Sequence, residues 1–223
     1  MKILMKCALI ALTVAAALGV NTAFAQGWSI QAGINKVAPK VQSGDLTAPA
    51  LPGTKVGVDN DTRPILSANY QYNDHVAAEL ILGAPYTHTL YGDGAIAGVG
   101  AIGRVDVLPP TIMGQYRFLD AQAKWRPYVG LGLTYAYFRN ATGSGALTAL
   151  TNTGSATSTT FSVNSAWGIS PQIGVIYELQ DTWFADLSIT KTYLKTQANF
   201  STGQTIDVTL NPVSIGFSLG RHF

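Results

Sequence analysis

The last eleven residues of the chain, 213–223, alternate between two kinds of side chain. Apart from Arg221, one parity is apolar and comprises Val213, Ile215, Phe217, Leu219 and Phe223, whereas the other holds only Ser, Gly and one His. Because a β-strand sends successive side chains to opposite faces, this segment has one apolar face and one small, polar face. The pattern is typical of a transmembrane barrel strand, which is apolar towards lipid and polar towards the lumen.

The composition of the whole chain agrees with this interpretation. Charged residues make up 12% of the sequence, hydrophobic residues make up 47%, and 23 of the 223 residues are glycine. A soluble domain of this size usually carries about twice that charged fraction. No segment after residue 25 approaches the roughly 20 consecutive apolar residues of a membrane-spanning helix. Composition alone therefore favours a membrane barrel, with a low-charge extracellular sandwich as the alternative.

The N-terminus predicts export. Lys2 and Lys6 precede a short apolar run at residues 7–20, and an Ala-Phe-Ala cleavage site follows at residues 23–25. A charged start, a short apolar core and a small-residue cleavage site are typical of a secretory signal peptide. We therefore expect residues 1–25 to be removed, and residues 26–223 to form a single barrel domain in the bacterial outer membrane.

Charge and cysteine content exclude several classes of function. The single cysteine, Cys7, lies in the predicted signal peptide, so we expect the mature chain to contain no disulfide and no cysteine-based metal site. Without Lys2 and Lys6 the 14 basic residues become 12, which balances the 12 acidic residues. A balanced chain without a basic block argues against nucleic acid as a partner. We expect no cofactor and no metal.

Eight segments follow the same period of two, and they are residues 28–36, 63–72, 75–85, 108–118, 126–138, 166–179, 182–194 and 213–223. Short turns alternate with long connections, of which residues 37–58, 86–105 and 140–160 are rich in Gly, Pro, Ala, Ser or Thr. We expect residues 140–160 to be mobile surface. The sequence therefore predicts an all-β, eight-stranded antiparallel up-and-down barrel with short periplasmic turns and longer extracellular loops. An interfacial aromatic girdle is expected beside the short turns, at Tyr70, Tyr72, Tyr116, Phe118, Tyr177 and Trp183.

The inward-facing parity predicts how the lumen is divided. Its ionisable residues lie within a few residues of the short turns, and they are Glu79, Arg117, Glu178, Asp186 and His222. Ionisable groups in a narrow lumen need partners, so we expect an ion-pair network that plugs the periplasmic half. The other half would hold an apolar pocket, with Ile81, Met113 and Tyr128 on its inward parity. A hydrophobic solute could enter there and leave sideways through the wall, although the sequence also permits a route through the lumen. Alternatively, the charges only stabilise the barrel.

The chain also resembles the outer-membrane protein W (OmpW) family over essentially its whole mature length. The matching stretches are Ala-Glu-Leu-Ile-Leu-Gly-Ala-Pro at 78–85, Leu-Pro-Pro-Thr at 108–111, Arg-Pro-Tyr-Val-Gly at 126–130, Trp-Gly at 167–168 and the terminal Phe223. The resemblance implies an eight-stranded barrel that carries small hydrophobic molecules, in some members hydrocarbons, across the outer membrane. It also implies an apolar constriction near Ile81 and Trp167. By strand parity alone Trp167 faces lipid, and it lines the lumen only if a bulge shifts the register. Phe217, Leu219 and Phe223 form the expected assembly signal for the barrel-assembly machinery.

Two other classes of function, an enzyme and a recognition barrel, are alternatives to solute uptake. A hydrolase would need a nucleophile near one of the three histidines, and none has one at a matching depth on a neighbouring strand, so we expect no enzyme activity. A recognition barrel would bind a host surface, phage or bacteriocin through its loops. Changing Ile81 to Asp should abolish uptake and spare recognition, whereas trimming the long loop should do the reverse.

Overall fold

The computed structural model describes residues 27–152, 154, 157–180 and 182–223. The predicted signal peptide, residues 1–25, lies outside this part of the chain. Within it, no helix is long and apolar enough to cross a membrane.

The described elements are mostly strands. In chain order they are β1 (Gly27–Ala38), β2 (Gln42–Ser43), β3 (Thr54–Val58), β4 (Asp61–Gln71), β5 (Val76–Gly83), β6 (Tyr86–Gly94), β7 (Ala101–Leu108), β8 (Thr111–Arg117), β9 (Trp125–Gly143), α1 (Gly145–Thr151), β10 (Phe161–Val163), β11 (Ala166–Glu178), β12 (Trp183–Lys191), β13 (Lys195–Phe200), β14 (Thr205–Thr209) and β15 (Val213–His222).

Eight antiparallel strands close into a ring in the order β1, β4, β5, β8, β9, β11, β12 and β15. The first and last strands complete the ring, because Ala32 of β1 lies opposite both Leu66 of β4 and Leu219 of β15. Short turns join β4 to β5, β8 to β9 and β11 to β12, and long connections lie at the other end. The predicted eight-stranded barrel, with its short periplasmic turns and longer extracellular loops, is confirmed.

The predicted alternation holds around the ring. Outward positions are exposed and apolar, as in Ile112, Leu131 and Ile173, whereas the inward positions beside them are buried. A barrel whose outer wall is apolar and whose inner wall is polar has the reverse of a soluble protein's distribution, and it is suited to a lipid environment. Predicted strand ends are shifted by a few residues. For example, β8 begins at Thr111 rather than at residue 108, because Pro109 and Pro110 have no N–H group to donate to a ladder.

The long connections contain strands that sequence periodicity did not predict. The upper half of β9 continues beyond the ring and pairs with β7, which in turn pairs with β6 and β6 with β3. A second sheet consists of β10, β13, β14 and β2. Apolar side chains of the two sheets meet above the ring, where Ile102 of β7 and Phe161 of β10 belong to one buried cluster. The extracellular part is therefore a folded cap over the barrel.

The prediction that residues 140–160 form mobile surface is wrong for their first half. β9 extends to Gly143, and α1 follows with Ser144 as its N-cap, whose Oγ accepts a hydrogen bond from the Leu147 N–H at 3.3 Å. Leu147 is buried against Ile102 and Phe161. A Gly/Ser/Thr/Ala tract is ordered here because two leucines, Leu147 and Leu150, lie one helical turn apart and pack onto the sheets.

Candidate functional site

A layer of buried polar side chains crosses the lumen near the short turns, with Glu79 at its centre. Glu79 is 4% exposed, and both of its carboxylate oxygens accept hydrogen bonds from amides. Gln31 Nε2 donates to Oε1 at 2.7 Å, and Gln115 Nε2 donates to Oε2 at 2.8 Å. The β5 parity that was predicted to place Glu79 inside is therefore correct, and its partners are glutamines of β1 and β8.

The guanidinium of Arg117 is the cationic partner in this layer. Its Nη1 donates to Gln71 Oε1 at 2.8 Å, and its Nη2 donates to Asn69 Oδ1 and to Gln115 Oε1, both at 3.2 Å. Gln115 therefore connects Arg117 with Glu79, since its oxygen accepts from one and its nitrogen donates to the other. The charges form one network, but it is carried by side-chain amides where the sequence suggested direct ion pairs.

Asp186 and Tyr128 complete the layer on β12 and β9. The Tyr128 hydroxyl donates to Asp186 Oδ1 at 3.2 Å, and its ring packs with Ile176 and Phe184. Tyr128 was predicted to line the apolar part of the lumen, and this prediction is wrong. It lies directly opposite Arg117 in the β8–β9 register, so it belongs to the polar layer near the periplasmic end.

Glu178 and His222 lie closer still to the short turns. Glu178 Oε2 and His222 Nε2 are 3.2 Å apart, and both side chains are partly buried. The His222 ring also contacts the Phe184 ring, with centroids 4.5 Å apart. The structure therefore brings Glu79, Arg117, Glu178, Asp186 and His222 to one half of the lumen, as their parity and position in the sequence predicted.

Met113 fills the lumen just above the polar layer. It is 1% exposed, and a Cβ on Gly132 would lie 2.2 Å from its Sδ atom. The Gly at this inward position is required because the thioether occupies the space that any side chain would need. Met113 was predicted to line the apolar pocket, and this prediction is wrong, because its side chain is not part of the cavity wall.

An apolar cavity of about 190 Å³ occupies the extracellular half of the molecule. Ile81 lies in its wall, as predicted. Most of the remaining wall comes from the ring's upper end, the two extracellular sheets and α1, including Val107, Ala136, Leu147, Phe161, Leu194 and Ile206. The cap, which was predicted to consist of loops, therefore forms the larger part of the cavity wall.

A row of hydroxyl groups runs across the bottom of this cavity. Thr111 Oγ1 lies 2.8 Å from Thr134 Oγ1, which lies 2.7 Å from Ser170 Oγ, and Ser170 Oγ lies 2.9 Å from Thr192 Oγ1. Gln172 Oε1 accepts from Gln115 at 3.1 Å and joins the cavity floor to the layer below. No motif in the sequence marks these residues, although inward Ser and Thr on adjoining strands are a usable signal.

A second polar group is set into the apolar wall near the mouth of the ring. Asn35 Nδ2 donates to the Tyr86 hydroxyl at 2.9 Å, and the rings of Tyr86 and His88 stack with centroids 6.3 Å apart. His88 Nδ1 lies 2.9 Å from the Asp59 carbonyl oxygen. Burial raises the pKa of the Tyr86 phenol, so the hydroxyl stays neutral in the physiological range. Tyr86 and His88 had been assigned to a loop.

Trp167 does not line the lumen, so the constriction implied by family resemblance is wrong at this residue. Its side chain is 67% exposed, and its ring lies 4.8 Å from that of Tyr135 on the outer face. The β9–β11 register runs without interruption from Ala166 to Tyr177, so no bulge moves Trp167 inward. The alternation of side chains along β11 predicted correctly that Trp167 faces outward.

Trp167 belongs instead to a second aromatic girdle, with Tyr135, Tyr137 and Tyr193. It lies ten residues from Tyr177 on β11, which is about 33 Å along a strand and about 25 Å along the axis of a tilted barrel. This separation matches the height of the apolar band of outer-membrane barrels.

The barrel wall has an unpaired stretch on the extracellular side. β5 pairs with β8 only as far as Ile81 opposite Thr111, so Leu82 and Gly83 have no partner on that side. The facing chain there is Pro109–Pro110, which cannot donate backbone hydrogen bonds. Leu82 is 46% exposed on the outward parity and also lines the cavity. Leu82 therefore contributes both to the exposed outer face of the wall and to the cavity wall.

The predicted assembly residues lie on the terminal strand or, for Phe223, directly after it. Phe217 and Leu219 are exposed on the outward face of β15. The Phe223 N–H donates to the Trp28 carbonyl oxygen at 2.9 Å, and its ring lies under the Arg221 guanidinium.

Comparison with known proteins places this geometry among outer-membrane barrels. A model described as the OmpW family matches residues 26–223. Outer membrane protein W of Vibrio cholerae is 31% identical over 215 residues, which are 93% of this chain and 95% of that protein. The dibenzothiophene metabolism operon protein PahQ of Pseudomonas aeruginosa is 26% identical over 203 residues, 88% of each chain. The crystal structure of OprG from Pseudomonas aeruginosa has a TM-score of 0.78 at 24% identity and covers 89% of this chain and 96% of that chain, so it shares the fold.

Proposed function

Because the chain belongs to the OmpW family and is an outer-membrane protein, we propose that it mediates passive uptake of small hydrophobic molecules. The observation that carries the proposal is the apolar cavity, which lies on the extracellular side and above a buried polar layer. Apolar walls with a few polar groups are typical of sites that hold small organic ligands. The relative PahQ is named for a dibenzothiophene metabolism operon, and dibenzothiophene is an apolar aromatic compound.

The polar layer favours lateral release over passage through the lumen. A hydrophobic solute moving towards the periplasm would have to separate Glu79, Gln115 and Arg117, whose hydrogen bonds are buried. Breaking such bonds without replacing them costs about 1–3 kcal/mol for each buried polar group. An apolar solute offers no replacement, so the layer acts as a plug.

The unpaired stretch of wall offers the alternative exit. A solute in the cavity contacts Ile81 and Leu82, and Leu82 also faces the bilayer. Moving between Leu82 and Pro109 breaks no β5–β8 ladder bond there, since that ladder ends at Thr111. The solute would therefore pass from one apolar environment to another and enter the outer leaflet.

The test is uptake of a small apolar fluorescent probe into lipid vesicles that contain the native barrel or Ile81→Asp. A buried carboxylate in the cavity wall should reduce uptake at least tenfold, because it must be hydrated and water then competes with the probe. The matched control is Val99→Asp, which places the same charge at an exposed position of the β6–β7 connection outside the cavity wall. Equal heat-dependent shifts in gel mobility would show that all three barrels are folded.

Two results would overturn the proposal. Native protein that does not exceed empty vesicles for several apolar probes would exclude uptake. Equal loss in Ile81→Asp and Val99→Asp would show that the cavity is not the route. Trimming the extracellular connections no longer separates uptake from recognition, because Leu147 and Leu150 of α1 line the cavity.

A further inference from the structure

Four lysines gather at the extracellular rim on one side of the barrel, although they are far apart in the sequence. They are Lys36, Lys40, Lys191 and Lys195. β1 and β12 both pair with β15, where Val213 lies opposite Lys191 and Ile215 lies opposite Lys36. Three of the lysines also surround one short segment, residues 209–211. The Lys40 N–H donates to the Leu210 carbonyl oxygen at 2.8 Å, Lys191 Nζ donates to the Asn211 carbonyl oxygen, and Lys195 lies opposite Thr209.

Lys36, Lys191 and Lys195 have outward parity, and Lys40 is exposed. Lys36 is exposed and shares its parity with the outward Ile34, and Lys191 shares its parity with the outward Ile189. Lys195 is exposed and lies two residues after the outward Tyr193 of the second aromatic girdle. Lys36 and Lys191 are two strands and two residues apart, or about 12 Å between Cα atoms. Two ammonium groups on flexible stems at this separation can bind the same phosphate or two neighbouring ones.

No carboxylate neutralises the cluster within the residues that the structure describes. None of the four lysines forms an ion pair there, whereas Lys55 and Arg63 pair with Asp45 and Asp61. The nearest acid along β14 is Asp207, which accepts a hydrogen bond from Gln197. Four cations without a carboxylate partner at the level of the lipid headgroups create a positive field that anionic headgroups can neutralise.

The surface below the lysines is apolar. Ile34 and Ile189 lie one outward position nearer the membrane centre than Lys36 and Lys191 on the same strands, and Ile215 of β15 lies opposite Ile189. Each of the three isoleucines is 43–56% exposed. Positive charge above an exposed aliphatic surface fits a lipid that has phosphate groups at its head and several acyl chains below. A free phosphate ion would use only the upper half of this surface.

We infer that this face of the barrel binds a phosphorylated, multiply acylated lipid of the outer leaflet. The phosphates lie against Lys36, Lys40, Lys191 and Lys195, and the acyl chains lie against the three isoleucines. The site is separate from solute uptake, because none of these seven side chains lines the cavity.

The test measures binding of bisphosphorylated lipid A to the purified mature protein in detergent, by native mass spectrometry with divalent cations chelated. The variant Lys36→Gln/Lys40→Gln/Lys191→Gln/Lys195→Gln should bind at least tenfold more weakly than the native protein. The matched control is Lys55→Gln/Arg104→Gln/Lys124→Gln/Arg139→Gln, which removes four exposed positive charges elsewhere and should bind within threefold of native. Replacing the four rim lysines by Arg should restore binding.

The lipid and the fold are tested separately. Lipid A without its phosphates should bind the native protein as weakly as intact lipid A binds the Gln variant, and inorganic phosphate at equal concentration should not displace the lipid. If the fourfold Gln variant does not fold, Lys36→Gln/Lys191→Gln provides the comparison. Equal binding by native and Gln variants, equal loss in the control, equal binding of the dephosphorylated lipid, or displacement by inorganic phosphate would each overturn the inference.

Discussion

The carboxylate of Glu79 and the guanidinium of Arg117 are joined through a single side-chain amide. Gln115 donates its Nε2 hydrogen to Glu79 Oε2 at 2.8 Å and accepts from Arg117 Nη2 at 3.2 Å. A buried anion and a buried cation are thereby linked through a neutral group that forms a hydrogen bond to each. The layer they form separates the apolar cavity from the periplasmic end of the barrel.

Replacing Gln115 by Leu should destabilise the barrel by about 1–3 kcal/mol, because a carboxylate oxygen and a guanidinium N–H each lose a buried partner. Urea unfolding in lipid vesicles, followed by the gel mobility of the folded form, would measure the change. Gln122→Leu alters an exposed turn residue and should leave the midpoint unchanged. A midpoint for Gln115→Leu that equals the native value would mean that the bridge contributes nothing.

Gly132→Ala should destabilise the barrel by about 1–3 kcal/mol or prevent its refolding. The added Cβ would lie 2.2 Å from Met113 Sδ and 2.4 Å from the Ile112 carbonyl oxygen, and the backbone atom cannot move freely. Gly114→Ala is the control, since the nearest atom would be 3.8 Å from its Cβ. The refolded fraction of each variant, read from heat-dependent gel mobility, distinguishes them. Similar yields would contradict the packing described for Met113.

Pro109→Val/Pro110→Val should slow probe uptake by threefold or more and raise thermal stability. Two new N–H groups would allow the β5–β8 ladder to continue towards Leu82 and close the unpaired stretch. Pro127→Val, at an exposed position of β9 near the periplasmic end, controls for loss of a proline. Faster uptake by the double variant, or uptake equal to native with a demonstrably longer ladder, would place the exit elsewhere.

Trp167→Ala should leave uptake within twofold of native but cost about 0.5–1.5 kcal/mol of stability in vesicles, because the ring contact with Tyr135 is lost at the membrane interface. Brominated lipids should also quench less of the total tryptophan fluorescence in this variant. A tenfold loss of uptake with unchanged quenching would instead place Trp167 in the lumen.

The strands of the ring could be predicted from sequence because lipid outside and polar groups inside enforce a strict period of two. At Trp167 the family resemblance implied a lumen position, whereas the period of two predicted an outward position. The uninterrupted β9–β11 register shows that the period of two is correct there. Direct ion pairs were expected because charged residues are conspicuous in a sequence. The contacts are made instead by the amides of Gln115, Gln71 and Asn69, which no charge pattern marks in the sequence.

The extracellular cap was harder to predict for a physical reason. Its strands are not divided between lipid and water, so they have no uniform alternation, and each depends on partners far away in the chain, such as Gly103 opposite Gly143. One local signal existed: Ser144 followed by Leu147 and Leu150 has the spacing of a capped amphipathic helix. The lysine cluster had no local signal, because β15 brings together residues more than 150 positions apart.

The closure of the ring by β1 and β15 has a consequence for how the chain is made. The twelve residues of β1 can complete their second ladder only after the ten residues of β15 have been synthesised and exported. Until then β1 and β12 each have an unpaired edge, and such edges can pair with other chains. Such a long-range closing contact is slow to form because most of the polypeptide must first be ordered between its ends. The ring can therefore close only in a chain that has reached β15. A polypeptide interrupted before residue 213 lacks this strand, so its barrel stays open even when the earlier strands are formed.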